Sequence, residues 1–353
     1  MKNVLFIIVS LFALIACDDS NTPKDQYLPE ANGKHGEILI LMEDHLWEGQ
    51  IGEKVIEELS VRAPGPYLRP EPSFSYFRKR PEDLNHLNQL NRNILKFMID
   101  TDSIYSETAV IEKRNYFAKN QLFIIIKDSD INRLYEYATN HMYEIRDKFN
   151  AFEVAQLKRM YKAEPHKLAN EIAEEKFGLS IAIPKKCKLK KEQSNFVFFK
   201  RDRSKNLIGN EATRAEGGTF WVQQGFLIWK TPIIPDSNQM TTQAMLMHRD
   251  TVLKYNLPGE RKDTYMGTEY SQYYEPVGRE FTYDGHPAVE IRGLWIYEGK
   301  VFVGGGGPFV QYSILNEKRG EIVTICGYVY GPKFEKREYI REIDAVLNTV
   351  KIL

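Results

Sequence analysis

Apolar positions in the first half of the chain fall into short runs that predict strands, separated by stretches with helical spacing. The run Glu37–Met42 suits a buried strand, and apolar residues recurring every three or four positions after Asp44 predict a helix to about Ser60. Four prolines between residues 63 and 72 exclude a helix and favour a rigid, extended crossing. Further strands are predicted over residues 93–100, 109–117 and 121–127, and the last is apolar enough to be a central strand.

The next stretch carries apolar residues on one helical face from residue 129 or 130 to about 163, which predicts a long helix. His141 falls on that face and is expected to be a core residue. Pro165 ends the pattern, a shorter helix is predicted to Phe177, and Gly178 suits its C-terminal stop.

The pattern changes character after Gly178, where strand-like runs dominate. Helices are predicted over about 238–255 and 334–350, and a polar, tyrosine-rich loop is expected after Pro258. The predicted strands cover residues 179–184, 195–201, 219–231, 288–297, 300–304, 308–315 and 321–330. We therefore predict an α+β fold of two layered domains, 36–178 and 179–353, each a largely antiparallel sheet packed with helices.

The N-terminus follows a different pattern, with one charge before a mostly apolar run. Lys2 followed by Val4–Ile15 predicts a secretory signal, and the run is too short to span a membrane. Its ending, Leu14-Ile15-Ala16-Cys17, resembles a bacterial lipobox. That resemblance implies that residues 1–16 are removed and that Cys17 is acylated as the new N-terminus. Residues 17–35 have no apolar periodicity and are predicted to be a flexible tether.

The acidic pair Asp18-Asp19 leaves the membrane leaflet open. An Asp at this place resembles an inner-membrane retention signal in some bacterial sorting systems, and acidic residues resemble a surface-export signal in others. A merely solvated tether is the third interpretation. We expect a cell-envelope protein anchored to a membrane by lipid, with the outer membrane favoured.

Charge and composition narrow the range of partners. Without Lys2 the mature chain carries 47 basic and 48 acidic side chains, so it lacks the basic excess that nucleic acid requires, and we exclude nucleic acid as a partner. A hydrophobic content of 42% predicts an ordinary globular body. Cys187 and Cys326 lie 139 positions apart, and spacing alone leaves both a disulfide and buried free thiols open.

The sequence lacks motifs that would indicate catalysis, a metal or a cofactor. No two of the seven histidines have the spacing of a helical zinc pair. The run Gly304–Gly307 lacks the Lys-Ser/Thr and the following helix of a phosphate loop, so it predicts a bulge or a close approach between strands. A triad gathered only by folding stays open. We predict no catalytic residues, no metal site and no cofactor.

The best candidates for a binding surface are aromatic. Tyr270, Tyr273 and Tyr274 lie in the predicted polar loop, and Trp295 lies on a predicted strand. Aromatic rings on a sheet stack on sugars or anchor a protein partner, and core packing is the alternative for the tryptophan. These four residues are our candidate binding residues.

The mature chain carries a series of short motifs: Gly36-Glu37-Ile38-Leu39, Trp47–Gly52, Pro70–Phe74, Arg92-Asn93-Ile94-Leu95, Gly306–Phe309 and Gly327–Pro332. Together they resemble a domain-of-unknown-function family of bacterial lipoproteins over nearly the whole mature chain. The resemblance implies a lipoprotein of uncharacterised activity and supplies no catalytic residues. It departs at Leu68-Arg69-Pro70, where many relatives read Leu-Pro-Gln before Glu-Pro. From Leu179 onward, the element order is also similar to the photosystem extrinsic-subunit (PsbP-like) fold, which would imply a binding or assembly role.

These observations predict a membrane-anchored envelope lipoprotein that acts as a non-catalytic binding or assembly module, with an envelope protein or a glycan as its partner. Two alternatives stay open: an envelope hydrolase with its site in the cleft between the domains, and a surface lipoprotein that captures glycan or another nutrient. A hydrolase should show a perturbed polar cluster in a cleft, a glycan binder exposed aromatic rings, and an assembly protein an apolar or mixed patch.

Overall fold

The chain folds around two large β-sheets. A computed structural model describes residues 27–102, 104–207, 217–235 and 237–353. The predicted signal peptide, Cys17 and most of the predicted tether lie outside these residues. Helices pack against the faces of both sheets, which confirms the predicted two-domain α+β fold. No helix in the described part of the chain is both long and apolar enough to cross a membrane.

The first unit is built on a five-stranded sheet. Its strands are β1 (Glu37–Leu41), β2 (Ser75–Lys79), β3 (Asn93–Ile99), β4 (Ala109–Arg114) and β5 (Leu122–Asp128), and its helices are α1 (Asp44–Trp47), α2 (Gln50–Leu59), α3 (His86–Gln89) and α4 (Ile131–Ala163). The strands lie in the order β2-β1-β3-β5-β4. α2 and α4 cover one face, because the apolar stripe of each helix packs on the apolar side chains of β1, β3 and β5.

Strand direction in this sheet differs from the largely antiparallel sheet that we predicted. β1 pairs with β2 and β3 in parallel, β3 pairs with β5 in parallel, and only β4 runs antiparallel to its neighbour. A continuous apolar run such as Leu122–Ile126 suits a buried strand of either direction, so its pattern did not distinguish the two. The helix predicted from Asp44 also divides at Gly49. Gly52 lets α2 pack on the end of α1, since a Cβ there would lie 1.9 Å from the Trp47 carbonyl oxygen.

The second unit is built on an eight-stranded antiparallel sheet. Its helices are α5 (Lys167–Ile172), which continues into a π-helical turn (Ala173–Phe177), α6 (Thr242–Asn256) and α7 (Arg337–Leu347). Its strands are β6 (Leu179–Ser180), β7 (Lys188–Glu192), β8 (Phe196–Leu207), β9 (Gly218–Pro232), β10 (Thr264–Thr268), β11 (Val277–Tyr283), β12 (His286–Gly299), β13 (Gly306–Asn316), β14 (Glu321–Tyr330) and β15 (Lys351–Ile352). The order is β10-β12-β13-β14-β9-β8-β7, with β11 beside the first half of β12. β6 and β15 form a separate pair.

Each face of the large sheet carries a core. On one face Ile340 and Ile343 of α7 pack on the sheet, and on the other face Met245 and Leu253 of α6 do so. The long helix α4 enters the cores of both units, because Phe149 packs in the first unit whereas Leu157 and Tyr161 pack in the second. At 1.5 Å per residue this 33-residue helix is about 50 Å long.

Several local predictions for the second unit change. Residues 300–304 form the turn between β12 and β13 rather than a strand, and the predicted tyrosine-rich loop contains β10 and β11. His141 lies on the exposed side of α4, where its Nδ1 is 3.0 Å from Glu144 Oε1, so it is not a core residue. Cys187 and Cys326 are both buried free thiols, and burial raises the pKa of Cys187 to about 12. The domain boundary at residue 178 stays a prediction.

Candidate functional site

The candidate residues from the sequence do not form one surface. Tyr273 is 89% exposed and Tyr274 is partly exposed, both in the loop between β10 and β11. Trp295 is only 1% exposed and its Nε1 donates to the Val329 carbonyl oxygen at 3.0 Å. The structure therefore removes Trp295 from the binding set, because its position between β10 and β13 turns the ring into the core.

Tyr270 is tied to α6. Its hydroxyl donates to Asp250 Oδ2 at 2.5 Å, and burial together with this bond raises the pKa of Tyr270. Thr268 donates to the other oxygen of Asp250, and the fully buried Arg249 donates to Thr268, both at 2.5 Å. Nε and Nη2 of Arg249 have no hydrogen-bond partner among the described residues, and its guanidinium carbon lies 3.8 Å from the Phe309 ring centre. This network fixes the start of the loop, so Tyr270 is positioned rather than free.

A cleft, which we call the aromatic cleft, lies at the start of β10, the end opposite to Tyr270. It has a volume of about 1020 Å³ and lies between the end of α6, the start of β10 and the turn that joins β12 to β13. Four aromatic rings line it: Tyr255, Tyr265, Tyr297 and Phe302. Four charged side chains also line it: Lys254, Asp263, Glu298 and Lys300. Apolar rings and charges of both signs therefore share one concave surface.

Two of the rings in the aromatic cleft are largely exposed to solvent. Phe302 is 90% exposed and Tyr255 is 75% exposed. Tyr297 instead packs edge-on against Trp295, with ring centres 5.4 Å apart. None of the four rings that line the cleft is among the candidate binding residues predicted from the sequence. Phe302 lies in the apolar triplet Val301-Phe302-Val303 before the glycine run, and this triplet was predicted to be part of a strand.

The glycine run shapes one wall of the cleft. A Cβ at Gly305 would lie 2.9 Å from the Tyr297 ring, and one at Gly307 would lie 2.1 Å from the Val329 carbonyl oxygen. β13 begins inside the run at Gly306, and no helix follows. The predicted close approach between strands is confirmed, and glycine is required because the neighbouring atoms already occupy the space of a side chain.

The two units meet at a second polar site, where the proline-rich crossing docks on α7. The carboxylate of Glu71 accepts from the backbone N–H of Lys336, at 2.8 and 2.9 Å, and from that of Arg337, at 2.7 Å. Arg337 Nη1 donates to the Pro72 carbonyl oxygen at 2.7 Å, and Arg341 Nη2 donates to that of Ser73 at 3.0 Å. The family-like motif Pro70–Phe74 thus serves as the cap and seat of a helix from the other unit.

A cavity of about 200 Å³ lies in this junction. Its lining includes five arginines, at positions 62, 146, 292, 337 and 341. Arg292 pairs with Asp344 at 2.6 Å, and Arg341 donates to Asn150 at 3.1 Å. Burial raises the pKa of Asp344 although Arg292 opposes this. No histidine or cysteine is among the described residues that line the cavity, and Arg146 pairs with Asp147 of the lining, as Arg292 does with Asp344. This arrangement suits a structural junction better than a hydrolytic site.

Within the described ranges, no group of three His, Cys, Asp or Glu side chains is placed to hold a metal ion. His248 of α6 takes part in hydrogen bonds with Trp229 and Thr231. His286 is the first residue of β12 and directly follows the turn at Gly285.

A family model described as a domain of unknown function, DUF4837, matches residues 166–349 of this chain. The chain belongs to this family. A second domain of unknown function, DUF8532, matches residues 31–162, so the DUF4837 unit holds the large sheet and the other match holds the small sheet. No curated protein matches the chain.

Solved structures similar to the chain overlap about half of it. The Ran-binding protein Mog1p of Saccharomyces cerevisiae is 11% identical with a TM-score of 0.29, and covers 50% of this chain and 90% of its own. PsbP of the cyanobacterium Synechocystis sp. PCC 6803 is 10% identical with a TM-score of 0.25, and covers 48% of this chain and 93% of its own. The expected likeness to the PsbP-like fold is therefore found only as a weak structural similarity, and it carries no functional argument.

Proposed function

We propose that this protein is a lipid-anchored, non-catalytic binding module of the bacterial cell envelope, whose aromatic cleft receives a segment of a partner protein. The observation that carries the proposal is the pair Tyr255 and Phe302, two rings that line one cleft and are 75% and 90% exposed. Aromatic side chains dominate binding energy at protein interfaces, because they bury a large apolar area at little cost in side-chain entropy.

The surroundings of these rings have the anatomy of an interface. Val301, which is 44% exposed, and Pro258 extend the apolar floor. Lys300 lies 3.9 Å from Asp263, so opposite charges stand together at the edge. An apolar centre with a charged, solvated rim is how non-obligate protein interfaces are built. The turn that carries Phe302 is bounded by Gly299 and Gly305, whose φ angles are +143° and +154°, so glycine provides its backbone freedom on both sides.

A binding role fits the cleft better than hydrolysis does. Of its described lining residues none is a serine, cysteine or histidine, and its carboxylates Asp263 and Glu298 face Lys300 and Tyr265. A glycan is the second candidate ligand, favoured by Tyr265 with Glu298, since stacking rings beside a carboxylate suit a sugar. Ser73 lines the junction cavity, but among the described residues its hydroxyl has no hydrogen bond to a histidine or carboxylate that could act as its base.

Site-specific crosslinking tests the cleft. A photoreactive phenylalanine analogue placed at Phe302 or Tyr255 in growing cells should give a discrete protein adduct. The same analogue at Tyr143, which is 50% exposed on α4 of the first unit, should give none. Equal adducts at all three positions, or none at Phe302, would overturn the partner-protein proposal. If the purified protein binds a glycan array and Phe302→Ala abolishes that binding, the ligand of the cleft is a glycan instead.

The anchor is tested separately at Cys17. We expect Cys17→Ala to yield an unacylated precursor that no longer incorporates labelled fatty acid. Protease shaving of intact cells, with a periplasmic control, then reports the leaflet: cleavage while the control survives places the body outside the cell, and protection until the outer membrane opens places it in the periplasm. Fatty-acid labelling that persists in Cys17→Ala would contradict anchoring at this residue.

A further inference from the structure

A run of lysines marks the last strand of the large sheet. Five of the seven residues from 185 to 191 are lysine. The run leads into β7, which ends the strand order and pairs with β8 on one side only. A strand of this kind has an open edge, so the lysines lie along a margin of the molecule about 20 Å long.

Three of these lysines lack a counter-charge. Lys186, Lys188 and Lys190 are exposed, and their ammonium groups have no ion-pair or hydrogen-bond partner among the described residues. Lys185 lies 3.5 Å from Glu164, but both side chains are about 70% exposed, so water screens the pair. Lys191 turns inward toward the last carbonyl oxygens of α6, 3.4 and 3.5 Å away. The margin therefore keeps most of its positive charge.

The start of α5 extends the same margin. His166 Nε2 lies 3.0 Å from the Cys187 carbonyl oxygen, which holds the first turn of α5 beside the lysine run. Lys167 is exposed in that turn, and the neighbouring Leu168 is 45% exposed. We call Lys167, Leu168, Lys185, Lys186, Lys188 and Lys190 the lysine edge.

Protection of an open strand is the simplest role for such lysines, since charge on an edge strand prevents pairing with another chain. Side chains of either charge could protect the edge in this way, and only residues of the strand itself would be needed. It does not account for Lys185 and Lys186 before the strand or Lys167 on a helix. All the cations are lysine and none is arginine, which suits a diffuse anionic surface better than a single phosphate or carboxylate held by a two-pronged bond.

We propose that the lysine edge docks the folded body on an anionic lipid surface. Each lysine within a Debye length of such a surface strengthens adsorption by about fivefold at moderate salt, and the contributions multiply along the edge. Leu168 would meet the headgroup layer beside the ammonium groups. The inference does not rest on the aromatic cleft, and it holds whether or not Cys17 carries lipid.

Vesicle flotation of the unacylated chain from Asp18 to Leu353, which contains every described element, tests the proposal. We expect flotation with vesicles that contain phosphatidylglycerol, none with phosphatidylcholine alone, and loss of binding between about 0.1 M and about 1 M salt. The triple variant Lys186→Glu, Lys188→Glu, Lys190→Glu should bind at least about tenfold more weakly. It keeps the edge charged, so strand protection and the thermal midpoint should be unchanged.

Two matched variants separate a local edge from net charge. Replacing the dispersed exposed lysines Lys34, Lys262 and Lys318 by Glu changes the net charge equally and should preserve binding. Arginine at positions 186, 188 and 190 should preserve it too. Equal loss in the two Glu variants, equal binding to both kinds of vesicle, or binding to soluble polyanions without binding to vesicles would each overturn the proposal.

Discussion

His248 shows how the fold fixes the protonation state of one side chain. Trp229 Nε1 lies 3.2 Å from His248 Nδ1, and Thr231 Oγ1 lies 2.7 Å from Nε2. A tryptophan N–H only donates, so Nδ1 must accept, and the neutral ring then donates from Nε2 to Thr231. A proton on Nδ1 would set two donors against each other. Burial also lowers the pKa of His248, so it too favours the neutral ring.

We expect a loss of stability as the pH falls below about 6.5, the usual pKa of an unfolded histidine. Because the pKa of His248 is lower in the folded than in the unfolded protein, the unfolded state takes up the proton first, and the stabilisation present above that pH is lost below it. Thermal unfolding of the wild type and of His248→Gln between about pH 8 and about pH 5 measures this. The variant should lose the pH dependence in this window; identical slopes would contradict the assignment.

At the residue scale the sequence pointed to aromatic side chains but not to which of them the fold exposes. Tyr273 is exposed as expected, whereas Trp295 is buried because its register beside Gly307 places the ring under β14. The exposure of Phe302 was not predicted, because an apolar residue is expected to be buried. Only the folded turn shows that its ring is exposed.

The glycine run gives the sharpest test at the scale of a single element. A Cβ at Gly307 would lie 2.1 Å from the Val329 carbonyl oxygen, whereas at Gly304 the nearest atom, Phe302 Cε1, is 4.0 Å away. We expect Gly307→Ala to lower the free energy of unfolding by about 1–3 kcal/mol, since β13 must move away from β14. Gly304→Ala should change it by less than about 0.5 kcal/mol. Denaturant titration compares the two, and equal effects would refute the close-approach role of Gly307.

Elements defined by local pattern were predictable, and their partners were not. Residues 121–127 were predicted as a central strand, and β5 lies there between β3 and β4. The long helix was predicted from residue 129 or 130 to about 163, and α4 occupies Ile131–Ala163. β7 and β11 escaped prediction because charged and polar residues dominate them, so neither shows the apolar alternation of a half-buried strand.

The N-terminus of α7 depends on a cap from the other unit. Lys336, which precedes the helix, offers no side-chain cap, and Glu71 accepts from its backbone N–H instead. We expect Glu71→Ala to destabilise the protein by about 1–2 kcal/mol, because backbone donors at a largely buried helix end lose their acceptor. Glu335→Ala removes the same charge beside the same helix end, but that side chain is 70% exposed and has only a 3.9 Å contact with Arg337, so it should cost little. Chemical denaturation of both variants decides; an equal loss would assign the effect to charge near the helix end rather than to capping.

At the scale of the whole molecule, two devices join the units. α4 contributes side chains to both cores, and α7 rests on the proline-rich crossing of the first unit. Glu71 and Lys336 are 265 positions apart, so nothing local in the sequence marks them as partners. The crossing was predicted as a rigid connector, and the structure adds that its rigidity positions a helix. The junction gives the motif Pro70–Phe74 a structural role, because its residues cap and contact α7.

We therefore expect both units to unfold together in one calorimetric transition. Arg341 reinforces the junction, since it donates to Ser73 and Asn150 and its guanidinium lies 4.9 Å from the Phe74 ring centre. In the double variant Glu71→Ala, Arg341→Ala the junction loses its cap and its central cation, so the transition should broaden or split. The ratio of calorimetric to van't Hoff enthalpy then rises above one. The exposed pair Glu335→Ala, Arg159→Ala removes the same charges and should keep a single transition. Two transitions in the wild type would show that α4 and α7 do not couple the cores, and the aromatic cleft would then belong to a unit that folds alone.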